Sequence, residues 1–260
     1  MTEGNKAGVR TGALPTQGGP LSRKKFLAGS AAALAGGVLM AVPGMAMAHT
    51  TPEPPTDIDV LNYALTLEHL EYAFYRDGLE KFGKREFENA KVFDGLGRYL
   101  RRNAYENFQL IREHEDTHVD FLTTVIEDLG GRGAAVPEAT YNFKKTAFTS
   151  VAKFVSVAQF LENTGVSAYD GAIAHIEAAG LLTEGAKIAT VEARHASYLN
   201  LLNRDVPFPD VFDEPAAPRA ICQAVQAENG GFIVSTPEPY GRYYTLDALC
   251  AKLPNSVTPS

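Results

Sequence analysis

The sequence predicts an all-α fold: a four-helix bundle with a long crossover between its second and third helices and an irregular, Pro-rich C-terminal extension. Three observations carry that expectation. Four long stretches place apolar residues at alternating steps of three and four, the seam of a packed helix. The first and third stretches share one pattern and the second and fourth share another, so the chain reads as two copies of a helical pair. Beyond the fourth stretch, Pro207, Pro209, Pro215, Pro218, Pro237, Pro239 and Pro254 leave no room for another long helix.

Residues 1–21 are rich in Gly, Thr and Pro without periodicity, and residues 1–48 as a whole read as a leader with an export signal. Ser22-Arg23-Lys24-Lys25-Phe26-Leu27 precedes an apolar run over 27–42 and a small-x-small cleavage site at Ala46-Met47-Ala48. The order is that of a secretory signal, and it resembles a twin-arginine signal in which Lys24 stands where the second arginine is usual. An uncleaved anchor is the alternative, although the run is short for a stable span. Cleavage would leave residues 49–205 as the bundle and 206–260 as the extension.

The first helix opens at a capping box of Thr56 and Asp59 and runs to about 82, with the seam Leu61, Ala64, Glu68, Glu71, Tyr75, Gly78, Phe82. Residues 83–101 read as a connection with one short helix. The second helix, about 102–129, has the seam Phe108, Ile111, Glu115, His118, Leu122, Val125, Leu129 and stops at Gly130-Gly131. Residues 130–148 form a link long enough, at about 3.3 Å per residue, to travel the length of a bundle. The third helix, about 150–179, has the seam Val155, Ala158, Glu162, Gly165, Tyr169, Ala172, Ile176 and closes at Gly180. A tight turn then leads to a fourth helix capped by Thr183, with the seam Ile188, Glu192, His195, Leu199, Leu202, ending near Arg204. A short helix is expected near 218–228.

Composition narrows the partners. The 260 residues carry a net charge of -7 and 45% hydrophobic residues, enough for one core with appendages. The leader holds five of the 24 basic residues and one of the 31 acidic ones, leaving 19 against 30 in the mature part. An acidic balance without basic runs argues against nucleic acid and anionic lipid. Cys222 and Cys250 are too few to build a fold; in an oxidising compartment they would close a disulfide in the extension, with two free thiols as the alternative.

The repeat carries the chemistry. Glu68 and Glu162 each precede a tyrosine, Tyr75 and Tyr169, by seven residues, and Glu115 and Glu192 each precede a histidine, His118 and His195, by three. Three residues is nearly one helical turn, so each Glu and His project together from the seam. Four carboxylates and two imidazoles in one dry core repel and titrate abnormally unless cations neutralise them. Such oxygen and nitrogen donors suit two iron or manganese ions, iron favoured, whereas structural zinc more often takes thiolates. The alternative is that the glutamates are surface or capped residues and the histidines satisfied core groups. Glu71 lies one turn past Glu68, but its counterpart is Gly165, so the repeat supports Glu68 and leaves Glu71 an alternative or extra ligand. His114 reads as support behind the ligands or as plainly exposed, and His69 as a flank residue. Tyr75 and Tyr169 are core packing, or hydroxyls bonded to ligand carboxylates, or radical traps.

This pattern resembles the ligand set of ferritin-like di-iron and di-manganese carboxylate proteins. The likeness is close at EDTHVDFLTTVIEDLGG, 115–131, which is similar to the second ferritin helix, and at Glu68 with Tyr75. The span from about 57 to 218, with VPFPDVFDEPAAPRAI after the fourth helix, resembles the exported ferritin-like group that includes plant and fungal desiccation-related proteins. The resemblance implies that Glu115 and Glu192 bridge two metals, that Glu68 and Glu162 are terminal ligands, and that His118 and His195 bind one metal each. The six-ligand set points to oxidase, peroxidase or catalase-type redox chemistry on Fe(II), oxygen or peroxide, expected in an exported stress protein of the periplasm, envelope or exterior. The alternative is a non-enzymatic envelope or desiccation-related structural or interaction protein with a structural or vestigial metal site, whose working surface is the extension. Cage-type iron storage is a third option, disfavoured by the extension, and a homodimer is left open.

Overall fold

The computed structural model describes residues 54–143 and 146–258, so the leader and its signal lie outside the described residues. Seven α-helices are described: α1 (Asp57–Lys81), α2 (Lys84–Glu88), α3 (Arg98–Gly130), α4 (Val151–Ile173), α5 (Ala179–Leu202), α6 (Pro218–Ala224) and α7 (Leu246–Lys252). The four long ones, α1, α3, α4 and α5, form the bundle. α1 packs along α3 and α4 along α5, and the two pairs meet face to face. Among the described residues no helix is long and apolar enough to cross a membrane.

α1 begins as expected. Thr56 Oγ1 accepts from the Asp59 amide at 3.3 Å while Asp59 Oδ2 accepts from the Thr56 amide at 2.9 Å. Its seam is buried throughout, but so are most of its other faces, because the crossover and the extension cover them. The crossover is fastened along α1 at steps of seven residues. Asn62 donates to the Ala134 carbonyl and accepts from the Val136 amide, His69 Nε2 donates to the Val136 carbonyl at 3.1 Å, and Arg76 forms a two-pronged pair with Glu138. His69 is therefore buried rather than a flank residue: the link occupies the face that the seam leaves open.

The connection after α1 holds α2 and a 3₁₀ turn, Lys91–Phe93, and α3 starts at Arg98, a turn earlier than the sequence indicates. Leu129 is 54% exposed, against expectation, because the buried line drifts to Val119, Leu122 and Ile126 in the last turns of α3. A straight helix rotates relative to a strict alternating seam, and over 33 residues the drift carries the final position into solvent.

The third and fourth helices divide earlier than Gly180. α4 ends at Ile173, so Ile176 lies beyond it, and α5 starts at Ala179 with Gly180 in its first turn. Thr183 is not the cap; its hydroxyl donates back to the Ala179 carbonyl. The cap is supplied from α1: Asp57 Oδ1 and Oδ2 accept from the amides of Glu177 and Ala178 at 2.7 and 3.1 Å. A contact between residues so distant in sequence leaves no local signature.

The extension wraps the bundle. β1 (Thr140–Tyr141) of the crossover pairs antiparallel with β2 (Ile233–Ser235). Tyr243 donates to Asp59 Oδ1 at 2.6 Å, the Tyr240 hydroxyl lies 3.2 Å from that of Thr66, and a Cys222–Cys250 disulfide ties α6 to α7. The Ala216 amide donates to the Ser167 carbonyl, and the Ala216 carbonyl sits where a Cβ on Gly171 would be, so only glycine admits the strap this closely.

Candidate metal centre

The acids enter the core because helix packing leaves them no other place. Glu68, Glu115, Glu162 and Glu192 occupy seam positions on four different helices, flanked a turn away by buried apolar residues, and each is 0% exposed. His118 and His195 follow on the same faces, so the six predicted groups meet midway along the bundle.

His118 Nδ1 lies 3.2 Å from Glu68 Oε2, 3.1 Å from Glu115 Oε2 and 3.3 Å from Glu192 Oε1. His195 Nδ1 lies 3.0 Å from Glu115 Oε1, 3.2 Å from Glu162 Oε2 and 3.8 Å from Glu192 Oε2. One ring nitrogen carries one proton, which cannot serve three carboxylates. Glu115 Oε1 and both oxygens of Glu192 accordingly lack a hydrogen-bond partner despite complete burial. Within each of two sets, the donor atoms lie within 4.8 Å of one another: Glu68, Glu115, His118 and Glu192 in one, Glu115, Glu162, Glu192 and His195 in the other. Glu115 and Glu192 belong to both sets. Orphaned buried carboxylate oxygens beside two imidazoles fit one or more divalent cations.

Around these groups the two copies interlock. Tyr75 of the first donates to Glu162 Oε1 at 2.6 Å, and Tyr169 of the second donates to Glu68 Oε1. Each tyrosine thus steadies the lone glutamate of the other copy, and the repeat of Glu with Tyr seven residues on was the signal for it. His114 Nδ1 lies 2.9 Å from His195 Nε2, with the rings stacked. Burial and the neighbouring His195 and His118 hold His114 below the usual histidine range. That contact turns His195 Nδ1 toward the carboxylates.

The charges show what the cluster does without cations. Burial pushes Glu115 up to about 7 despite its contacts with His118 and His195, and burial does the same for Glu162, also to about 7. Burial disfavours the imidazolium of His118, but the carboxylates of Glu115, Glu192 and Glu68 outweigh it and push the group up to about 12. His195 moves the same way, burial being outweighed chiefly by Glu162 and Glu115. Glu68 is held below its ordinary value, since hydrogen bonding and charge from His118 overcome the cost of burial.

Glu71 joins as a fifth buried acid, 4% exposed. A Cβ on Gly165 would meet its Oε1 at 3.2 Å, so the glycine that breaks the repeat is the space Glu71 occupies. Burial, then repulsion from Glu162, Glu192 and Glu68, raise its pKa well above the carboxylate range.

A family model described as a ferritin-like domain matches residues 56–204, the whole of the bundle. A curated relative, Protein rds1 of Schizosaccharomyces pombe, is 29% identical over 193 residues, 72% of this chain and 42% of the relative. The chain thus spans less than half the length of that relative. With two helical pairs joined by a long crossover and their acids gathered at the centre, and with that match over most of the described residues, the chain belongs to the ferritin-like domain family.

Proposed function

We propose that the chain holds a dinuclear iron or manganese centre, iron favoured, and carries out redox chemistry on oxygen, peroxide or Fe(II) as an exported stress-protection protein. One observation carries the reading: two imidazole nitrogens each stand at the focus of three carboxylates, and Glu115 and Glu192 are common to both foci. In this reading Glu115 and Glu192 would be shared by the two ions, Glu68 and Glu162 would each hold one, and His118 and His195 would supply one imidazole to each. When bound, the ions supply redox electrons and an open coordination position.

The chain's own residues do the rest. Tyr75 and Tyr169 fix the rotamers of Glu162 and Glu68, and His114 braces the His195 ring at Nε2. Phe74, Phe108 and Phe154 pack on Tyr75, and Phe87 on Phe108, so the tyrosine that holds Glu162 sits among buried rings. Export is supported by the basic, apolar and small-residue order of residues 22–48 and by the disulfide in the extension.

The test is elemental analysis of the purified protein with peroxide and Fe(II) oxidation assays on the same sample. Bound iron or manganese with either activity supports the proposal; a metal-loaded sample with neither removes it. A second reading, a non-enzymatic interaction protein, is favoured by the strap after α5, where Phe208, Val211 and Phe212 are 80%, 93% and 86% exposed. It predicts that a folded variant lacking Glu115 and His118 keeps its biological activity.

A further inference from the structure

The two halves of the bundle repeat their acids but not their packing. Around Tyr75 the core is filled with rings: Phe108 and Phe154 lie 5.8 and 6.2 Å from it, and Phe87 packs on both. Phe108 stands seven residues before Glu115 and Phe154 eight before Glu162. The corresponding positions around Tyr169 are Gly185, seven before Glu192, and Val60, eight before Glu68. Ile111 and its counterpart Ile188 are unchanged. The repeat therefore loses two phenyl rings in one half and leaves open space beside Gly185, where a Cβ would meet no atom within 4 Å.

What remains is a cavity of about 30 Å³ lined by Val60, Tyr169, Gly185 and Ile188, with half-buried Leu181 and Glu184 at its rim. A water needs roughly 10–15 Å³ of such space and two or more polar partners, so the volume suffices but the walls do not. Apolar cavities of this kind stay dry and take up apolar gases, whereas an acyl chain or an aromatic ring is too large for this one. Its inner wall is Tyr169, whose hydroxyl donates to Glu68. A molecule held there rests one side chain away from the carboxylate cluster.

We infer that this cavity is a binding site for a small apolar molecule, and that dioxygen is its occupant, an assignment that rests on the redox reading above. In the other half the rings of Phe108, Phe154 and Phe87 fill the corresponding space beside Tyr75.

Xenon is the probe for the cavity, located by anomalous scattering in pressurised crystals of the wild type and of Gly185→Phe, which restores the missing ring. The expected result is one xenon between Tyr169 and Gly185 in the wild type and none in the variant. With iron content equal in both, oxidation of bound Fe(II) by dioxygen is expected to slow at least tenfold in the variant. Val60→Phe fills the same space from α1 and serves if Gly185→Phe does not fold. A wild type that takes up no xenon overturns the site. A variant that loses xenon yet oxidises its iron at the wild-type rate overturns dioxygen as the occupant. A wild type that takes up xenon but no iron keeps the site and removes the dioxygen assignment together with the centre.

Discussion

His118 shows why six side chains outweigh the rest of the core. Its Nδ1 faces three carboxylates, and its neighbours Glu115 and Glu192 keep oxygens with no partner. Natural cores rarely tolerate that arrangement without a compensating ion. Glu115→Gln is expected to stabilise the metal-free bundle by about 1–3 kcal/mol, by removing one buried charge, while weakening metal binding at least tenfold. Thermal melts with and without metal check both signs. Tyr75→Phe and Tyr169→Phe are expected to cost about 1 kcal/mol each and to lower metal affinity 10–100-fold, measured by competition with a chelating dye. The six residues were legible in the sequence because each sits on an apolar seam at a spacing that the second copy repeats. The sequence leaves Glu71 open because Gly165 breaks the repeat, and the break makes the room for it only in three dimensions. His114 was ambiguous since its partner, His195, lies 81 residues away.

Helices and their connections were legible where the signal was local. The capping box at Thr56 and the stop at Gly130-Gly131 each depend on residues within a turn of one another. The boundary between α4 and α5 was not, because the cap is Asp57, 120 residues away from Glu177. Asp57→Ala is expected to cost about 0.5–2 kcal/mol and to raise hydrogen exchange at Glu177 and Ala178, with the metal centre unchanged. His69 lies buried under the crossover for a related reason. A seam defines which side of a helix meets the bundle, but says nothing of a crossover lying along another side.

At the scale of the whole molecule, pH and metal are linked. Glu115 and Glu162 rise from 4.5 to about 7 on folding, and His118 from 6.5 to about 12. At these three groups the folded metal-free site binds protons more tightly than the unfolded chain, while Glu68, held below its ordinary value, acts in the opposite direction. The resulting stabilisation is present in full below the unfolded values and is lost as pH rises through the folded ones. The metal-free protein is therefore expected to melt at progressively lower temperature from about pH 4.5 to pH 7 and beyond, while the metal-loaded protein does not. Metal binding should release protons and tighten as pH rises over the same range, which calorimetry in buffers of different ionisation enthalpy would report. Opening the Cys222–Cys250 bridge, a separation of 28 residues, is expected to destabilise the extension by about 3.5 kcal/mol by loop-closure arithmetic and to leave the six-residue cluster in place.

The most direct test is a titration of the metal-free chain with Mn(II) or anaerobic Fe(II), read as ions bound per chain. The account predicts two ions per chain for the native sequence and at most one when Glu115 and Glu192 are both changed to Gln. Fewer than one ion per native chain, or two ions retained by the double variant, would contradict it.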